Sequence, residues 1–381
     1  MDDKDFFSID ADSHIEDHDA IFDYLDARYM HRRPRVVDIG DMVKHRPTRN
    51  KAWIIDGEMR PKMQGPNASC HATPPTSEYA KLKPVPYGVQ TLSDVPAYLE
   101  SLDSVGLDVS VLYTTLFLQP LTKDPLFEAA LVSAYNSYMA EQCGKAPDRL
   151  KWGGLIPIRL PELALKEAKR IKELGASSCM MLPTAGNVLL HDRRFDELFG
   201  YLEASGLPVC VHVGWSHDGI QESCDFPAAS FILNFEMAMV MGFFSFLGGG
   251  ILDRFPKLTV AFLEGGIGWY PAALSRMEHW QATPAAEPWQ AQKTASEYLR
   301  DNQVYFTVEG DEPDLPAFIE FAGEDRILGS ADFPHVHYAG GRLSVAFDEI
   351  RTRSDLAVGT KRKILSENSQ KFYGIKQPVS A

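Results

Sequence analysis

Four places in the sequence hold residues able to bind a metal ion or move a proton. The first is Asp10, Asp12 and His14, spaced two apart in IDADSH (residues 9–14). Side chains two apart on a strand share a face, so all three can point the same way. His212 lies in the apolar run LPVCVHV (207–213), where an imidazole is out of place. Glu264 ends KLTVAFLE (257–264) just before two glycines, and Asp332 follows RILGSA (326–331), with His335 three residues on. Singly, each has a plain explanation as a solvated loop carboxylate or a hydrogen-bonded core histidine. Together, carboxylates and imidazoles at the ends of four separate apolar runs call for a divalent cation, because buried charge needs a partner.

Short strands must position these residues. Runs rich in Val, Ile and Phe fall at 6–12, 108–114, 151–157, 177–182, 208–213, 258–264, 303–309 and 326–330. Helical apolar spacing occupies 124–146, 161–175 and 195–206 between them, with Gly175 and Gly206 where left-handed caps belong. Eight strands alternating with helices predict an α/β fold, a (β/α)8 TIM barrel, with a doubly wound open sheet as the alternative. Barrel sites gather at the C-terminal ends of the strands, where the four places would meet. The chain, 381 residues, is read as one barrel domain spanning 1–381. About 90 residues separate the first two strands, too many for one crossover. Residues 15–90 are therefore expected to form an insertion, a lid over the barrel mouth that contacts substrate. Residues 281–302 are expected to form a second cover.

Hydrophobic residues at 45% and charged residues at 24% describe an ordinary globular chain. A net charge of −14 gives no support to nucleic-acid binding, which needs clustered cations. The cysteines include no CxxC pair, and Cys179 and Cys210 sit in apolar runs, which points to a reducing, cytoplasmic setting. The opening MDDKDFF lacks the features of a secretory signal. The greasy stretch 231–247 is interrupted by Asn234 and Glu236, so a buried helix is expected rather than a membrane span. Gly266-x-Gly268 lacks the third glycine of a dinucleotide loop, and the adjacent Ser216, His217 and Asp218 cannot adopt triad geometry. The basic cluster from His31 to Arg35 reads as a solvated surface, with phosphate binding as its functional alternative.

Four spaced motifs, IDADSH (9–14), GLPVCVHVG (206–214), RFPKLTVAFLEGGIGW (254–269) and GSADFPH (329–335), resemble amidohydrolase-related barrels. The nearest group is the aminocarboxymuconate-semialdehyde decarboxylase-like one, and the resemblance runs over residues 7–375. It implies a TIM barrel with a divalent metal at the mouth. Carried over by position, the ligands are Asp12, His14, His212 and Asp332, with Glu264 replacing a histidine. The fourth strand contains no lysine, so no carboxylated-lysine bridge is expected. Two imidazoles have become carboxylates, a harder set that suits iron or manganese better than three-histidine zinc.

The branch with D-x-D-x-H and EGGIGW (264–269) further resembles a nonheme diiron monooxygenase of the platensimycin pathway. On that resemblance the expected activity is O2-dependent hydroxylation of a bulky apolar substrate carried as a CoA thioester. Two Fe ions are the expected cofactor, with Mn or Zn as alternatives. Glu264 would bridge the metals, His335 would complete the second site, and Asp332, His335 and Glu264 form the catalytic set. The alternative activity is a mononuclear metal-dependent decarboxylase or hydrolase, with Asp332 as base and His212 or His335 as acid. Phe117, Tyr270 and Phe333 are candidates for an apolar pocket. The expected partners are a small-molecule substrate and a second copy of the chain, with no nucleic acid and no membrane.

Overall fold

A computed structural model describes residues 7–39, 51–61, 86–283, 289–301, 304–333 and 345–377, so Cys70 and His335 lie outside the described residues. The chain opens with β1 (Ile9–Ile15). A small antiparallel sheet follows, made of β2 (Arg35–Asp38), β3 (Lys51–Ile55) and β4 (Glu58–Pro61). Next come β5 (Val109–Thr114), β6 (Leu150–Leu155), β7 (Ser178–Met181) and a short hairpin of β8 (Thr184–Ala185) and β9 (Val188–Leu189). The last four strands are β10 (Val209–His212), β11 (Val260–Leu263), β12 (Val304–Val308) and β13 (Ile327–Gly329).

Eight of these strands pair in parallel in the order β1-β5-β6-β7-β10-β11-β12-β13, with helices in the connections. They are the eight runs expected from the sequence, and the arrangement is a (β/α)8 barrel. Every position of β5, β10, β11 and β12 is buried, as strands covered on both faces must be. The ladder does not continue from β13 to β1. There the His14 amide donates to the Phe333 carbonyl at 2.7 Å, which draws the last strand's exit loop onto the first strand.

The barrel interior is filled by side chains. Tyr113 on β5 shares hydrogen bonds with Ser178 on β7 at 3.2 Å and with Tyr373 of the C-terminal helix at 3.0 Å. Gly153 on β6 lies under the Tyr113 ring, so close that a Cβ there would stand 2.2 Å from the ring edge. Tyr270 and Phe333 are buried in the core, so neither lines an open pocket.

The described part of the insertion is tied to the segment after β5, on the side where the barrel strands end. Arg32 pairs with Asp56 and Asp124 at 2.7 Å each, and Arg60 donates to Gln119 at 2.9 Å. Arg33 is likewise held by Asp23 at 2.6 Å. Carboxylates thus pair with Arg32 and Arg33, as the solvated-surface reading of this cluster expects.

The connection 281–302 departs from expectation. Its described residues include helix Ala295–Arg300, fixed by a Thr294–Glu297 capping box, and they lead into β12 from its N-terminal end. That is the face opposite the strand C-termini, so the described residues of this connection do not cover the mouth. Residues Ala229–Arg254 are long and apolar enough to cross a membrane, with mean hydropathy 1.6, but half of that window is buried in the barrel's outer layer.

Candidate metal centre

β1 carries Asp12 and His14 at its C-terminal end, β10 ends on His212, Glu264 follows β11, and Asp332 follows β13. Among the described residues, ligand atoms of Asp12, His14, His212 and Glu264 all lie within 4.8 Å of one another. Asp332 stands beside this group, with its Oδ1 3.6 Å from His14 Nε2. Four strands therefore bring together five of the expected site residues, and the sixth, His335, lies outside the described residues.

Two backbone carbonyls orient the imidazoles. His14 Nδ1 lies 3.0 Å from the Thr114 carbonyl and His212 Nδ1 lies 2.9 Å from the Val213 carbonyl. A carbonyl only accepts, so each Nδ1 carries a proton and each Nε2 is left to take either a metal ion or a second proton. Those two Nε2 atoms face each other at 3.2 Å. Asp12 Oδ1 is 3.4 Å from one and 3.6 Å from the other, and Glu264 Oε2 is 3.4 and 3.7 Å away. Both Asp12 oxygens are buried without a donor in hydrogen-bond geometry. Lone pairs and carboxylates so crowded repel one another unless a cation lies among them. Tetrahedral bonds of about 2.1 Å place ligand atoms about 3.4 Å apart, which is the spacing found here. The donor set and its geometry fit one divalent ion.

Electrostatics agree with the geometry. Burial works against a His212 cation, yet the Asp12 and Glu264 charges overcome it and raise its pKa to about 9. Burial likewise opposes the Asp12 carboxylate, but His212 and His14 hold its pKa below the ordinary value. Without a metal, the cluster holds a proton as its cation.

Asp10 is not in the cluster. The register of β1 against β5 shifts between Asp10 and Ser13, which turns Asp10 out of line with Asp12 and His14. Its carboxylate instead accepts from Ser13 Oγ at 2.7 Å, Ala331 N at 2.9 Å and Phe333 N at 3.3 Å, and so clips the loop bearing Asp332 to β1. Burial raises its pKa to about 6 against these donors. Asp17 escaped notice in the sequence. It is buried and accepts from Thr114 Oγ1, Thr115 N and Leu116 N, which fixes the strand end whose carbonyl orients His14. No motif marked it, because one acid in EDHD (16–19) looks like any other.

Glu264 is the cluster member open to solvent, its side chain 21% exposed. Beside it a cleft of about 340 Å³ is lined by Glu236, Gly265, Gly266, Trp269, Glu312 and Asp314, among others. Glu264 and Asp332 both adopt left-handed backbone, with φ of 59° and 48°. Non-glycine residues do so at a cost of about 1–3 kcal/mol, which persists where the surroundings enforce it and often at functional sites.

A family model described as Amidohydrolase matches residues 118–375. The 2-amino-3-carboxymuconate-6-semialdehyde decarboxylase of Dictyostelium discoideum is 23% identical over 288 residues, 74% of this chain and 77% of that one. A gamma-resorcylate decarboxylase of Polaromonas sp. is 25% identical over 52% of this chain and 64% of its own. In fold, the chain resembles an amidohydrolase from Mycobacterium avium subsp. paratuberculosis K-10, with TM-score 0.80 at 19% identity, covering 97% of this chain and 100% of that one. It also resembles the manganese-bound 5-carboxyvanillate decarboxylase of Novosphingobium aromaticivorans, with TM-score 0.68 at 19% identity and 97% of each chain covered.

These relatives overturn the oxygenase expectation. The curated relatives are decarboxylases, and the solved 5-carboxyvanillate decarboxylase holds manganese. The monooxygenase activity, its two iron ions and the oxidoreductase assignment are therefore withdrawn. Among the described residues, four candidate ligand atoms within 4.8 Å of one another suit a single ion.

Proposed function

The chain belongs to the amidohydrolase family, and we propose that it is a divalent-metal-dependent decarboxylase. Its substrate class is a small aromatic or otherwise unsaturated carboxylate bearing a neighbouring hydroxyl or amino group. The observation that carries the metal dependence is the pair of imidazole Nε2 atoms facing each other at 3.2 Å between two carboxylates. The reaction class is supported by the curated relatives, which are decarboxylases.

Asp12, His14, His212 and Glu264 would hold the ion, taken as Mn(II), the ion in the solved 5-carboxyvanillate decarboxylase. When bound, such an ion supplies positive charge that gathers the substrate's oxygens and draws electrons from the bond to be broken. The remaining work falls to the chain. Asp332, buried beside His14, is placed to carry a proton. The carbon bearing the carboxylate takes that proton, the C–C bond breaks, and its electrons restore the conjugated system as CO2 leaves. Water then returns a proton to Asp332. The described part of the insertion, within residues 15–90, serves in this reading as cover for the mouth, supported by its ties to the segment after β5.

The test uses the Mn(II)-loaded full chain with a panel of hydroxy- and aminobenzoates in D2O. One CO2 released per turnover and one deuterium at the vacated carbon are expected, with D332N keeping its manganese but losing turnover. Stoichiometric manganese with no CO2 from any of these acids would refute the reading.

A further inference from the structure

Glu312 sits on the loop after β12, in a GDEPD stretch (310–314) that reads as solvated acid. Its carboxylate instead reaches across to the loop after β11. Oε1 accepts from Ile267 N at 2.8 Å, and Oε2 accepts from Glu309 N in its own loop at 3.0 Å. Burial raises its pKa to about 7, and the nearby charges of Glu309 and Asp311 add to that against the two amide donors. Arg353 anchors the same loop by donating to the carbonyls of Gly310 at 3.1 Å and Glu312 at 2.8 Å. Glu312 is thus a fixed bracket between two loops at the barrel mouth.

The loop it grips begins at Glu264, and that loop needs holding. Glu264 and Gly266 both have left-handed backbone, with φ of 59° and 62°. Glycine adopts this freely, whereas Glu264 does not. Three hydrogen bonds enforce the turn: Glu264 N to Thr307 Oγ1 at 2.9 Å, Trp269 Nε1 to Gly265 O at 2.7 Å, and Ile267 N to Glu312. The first fixes where the turn starts and the second lies within it. The Glu312 bond ties its far side to a neighbouring loop. Without that bond the turn is free to relax toward ordinary φ, which would carry the Glu264 carboxylate away from His212.

We propose that Glu312 is a positioning residue for the metal centre, acting through the loop that aims Glu264 at His14 and His212. The inference rests on the reading of Glu264 as a metal ligand, and the experiment separates the two. Mn(II) affinity is measured by calorimetry, with the EPR signal of bound Mn(II) as a second readout, on the full-length parent, E264Q, E312Q and the double variant. An amide oxygen at 312 can keep one of the two backbone bonds but not both, so E312Q is expected to bind Mn(II) about tenfold more weakly, as loss of support behind a ligand does. On the E264Q background the same change should matter by less than about twofold, because the residue it positions is already altered.

E312D keeps the charge with a shorter reach and should fall between parent and E312Q. If E312Q does not fold, E312D carries the same test, since its loss must also vanish on E264Q. Parental affinity in a folded E312Q, or equal losses on both backgrounds, would overturn the proposal. An E264Q chain that binds like the parent would overturn the ligand reading itself, and the proposal with it.

Discussion

Replacing Asp12 with Asn tests whether the cluster is built around a cation. The amide keeps the size and removes the charge. Both Asp12 oxygens are buried without a hydrogen-bond donor, and one lies 3.4 Å from His212 Nε2. Unit charges at that distance interact by about 5 kcal/mol at an effective dielectric constant of about 20, and a divalent ion by about twice as much. Desolvation and relaxation return more than half, which leaves about 4 kcal/mol, or about a thousandfold in affinity. Calorimetric titration should therefore find Mn(II) binding about a thousandfold weaker in D12N than in the parent. Thermal unfolding gives an independent readout. At free Mn(II) of about 100 times the parent's Kd, the parent gains about 2.7 kcal/mol, whereas D12N should gain nothing measurable. The ion-free variant should fold, since no backbone group leans on the Asp12 side chain. Parental Mn(II) affinity in folded D12N would refute the assignment of Asp12 as a ligand.

Three further outcomes are expected. His212 has its pKa raised from 6.5 to about 9, so its proton stabilises the ion-free folded chain fully below pH 6.5, and that contribution is lost as pH rises toward 9. Mn(II) needs the neutral imidazole, so its affinity should climb by up to about tenfold per pH unit between 7 and 9 with release of a proton, and pH-independent binding there would contradict this. Gly153→Ala should destabilise the barrel by about 2–3 kcal/mol in denaturant titrations, because the new Cβ meets the Tyr113 ring; an unchanged midpoint would mean the ring has slack. Glu264→Gly should raise ion-free stability by about 1 kcal/mol by relieving the left-handed backbone, while Mn(II) affinity falls; affinity and stability moving together would contradict the assignment.

Most barrel strands were legible because they are short, largely apolar runs between helical patterns, and burial on both faces favours that composition. The limits of β1 were less so. It runs through Ile15 rather than stopping at 12, because Asp12, Ser13 and His14 are polar yet buried, and polarity mimics the end of a strand. The four clustered residues stood out in the sequence by the oddness of acid or imidazole at a strand end. Asp10 was misjudged for the opposite reason, since strict alternation places it with Asp12 and His14 and only the register shift separates them. Asp17 and Glu312 left no signal, because what defines them is which backbone amides they meet, a property of loops brought together from distant parts of the chain.

Carboxylates in place of two histidines suggested redox chemistry, but ligand charge alone does not select a reaction. Asp12 and Glu264 bring two negative charges to two neutral imidazoles, which offsets the charge of one divalent ion. A cation so neutralised acidifies water less than an all-imidazole zinc site does, which disfavours hydrolysis. It also holds an anionic substrate less tightly, and a carboxylate that must depart as CO2 gains from a loose hold. The backbone divides the labour in the same way. Asp12, His14 and His212 lie within regular strands, where position is fixed at little cost. Glu264, open to the mouth, and Asp332, the proposed proton carrier, sit just beyond strand ends in left-handed backbone. In the proposed reading the strands supply three of the residues that would hold the ion, and the left-handed turns supply the fourth and the proton carrier.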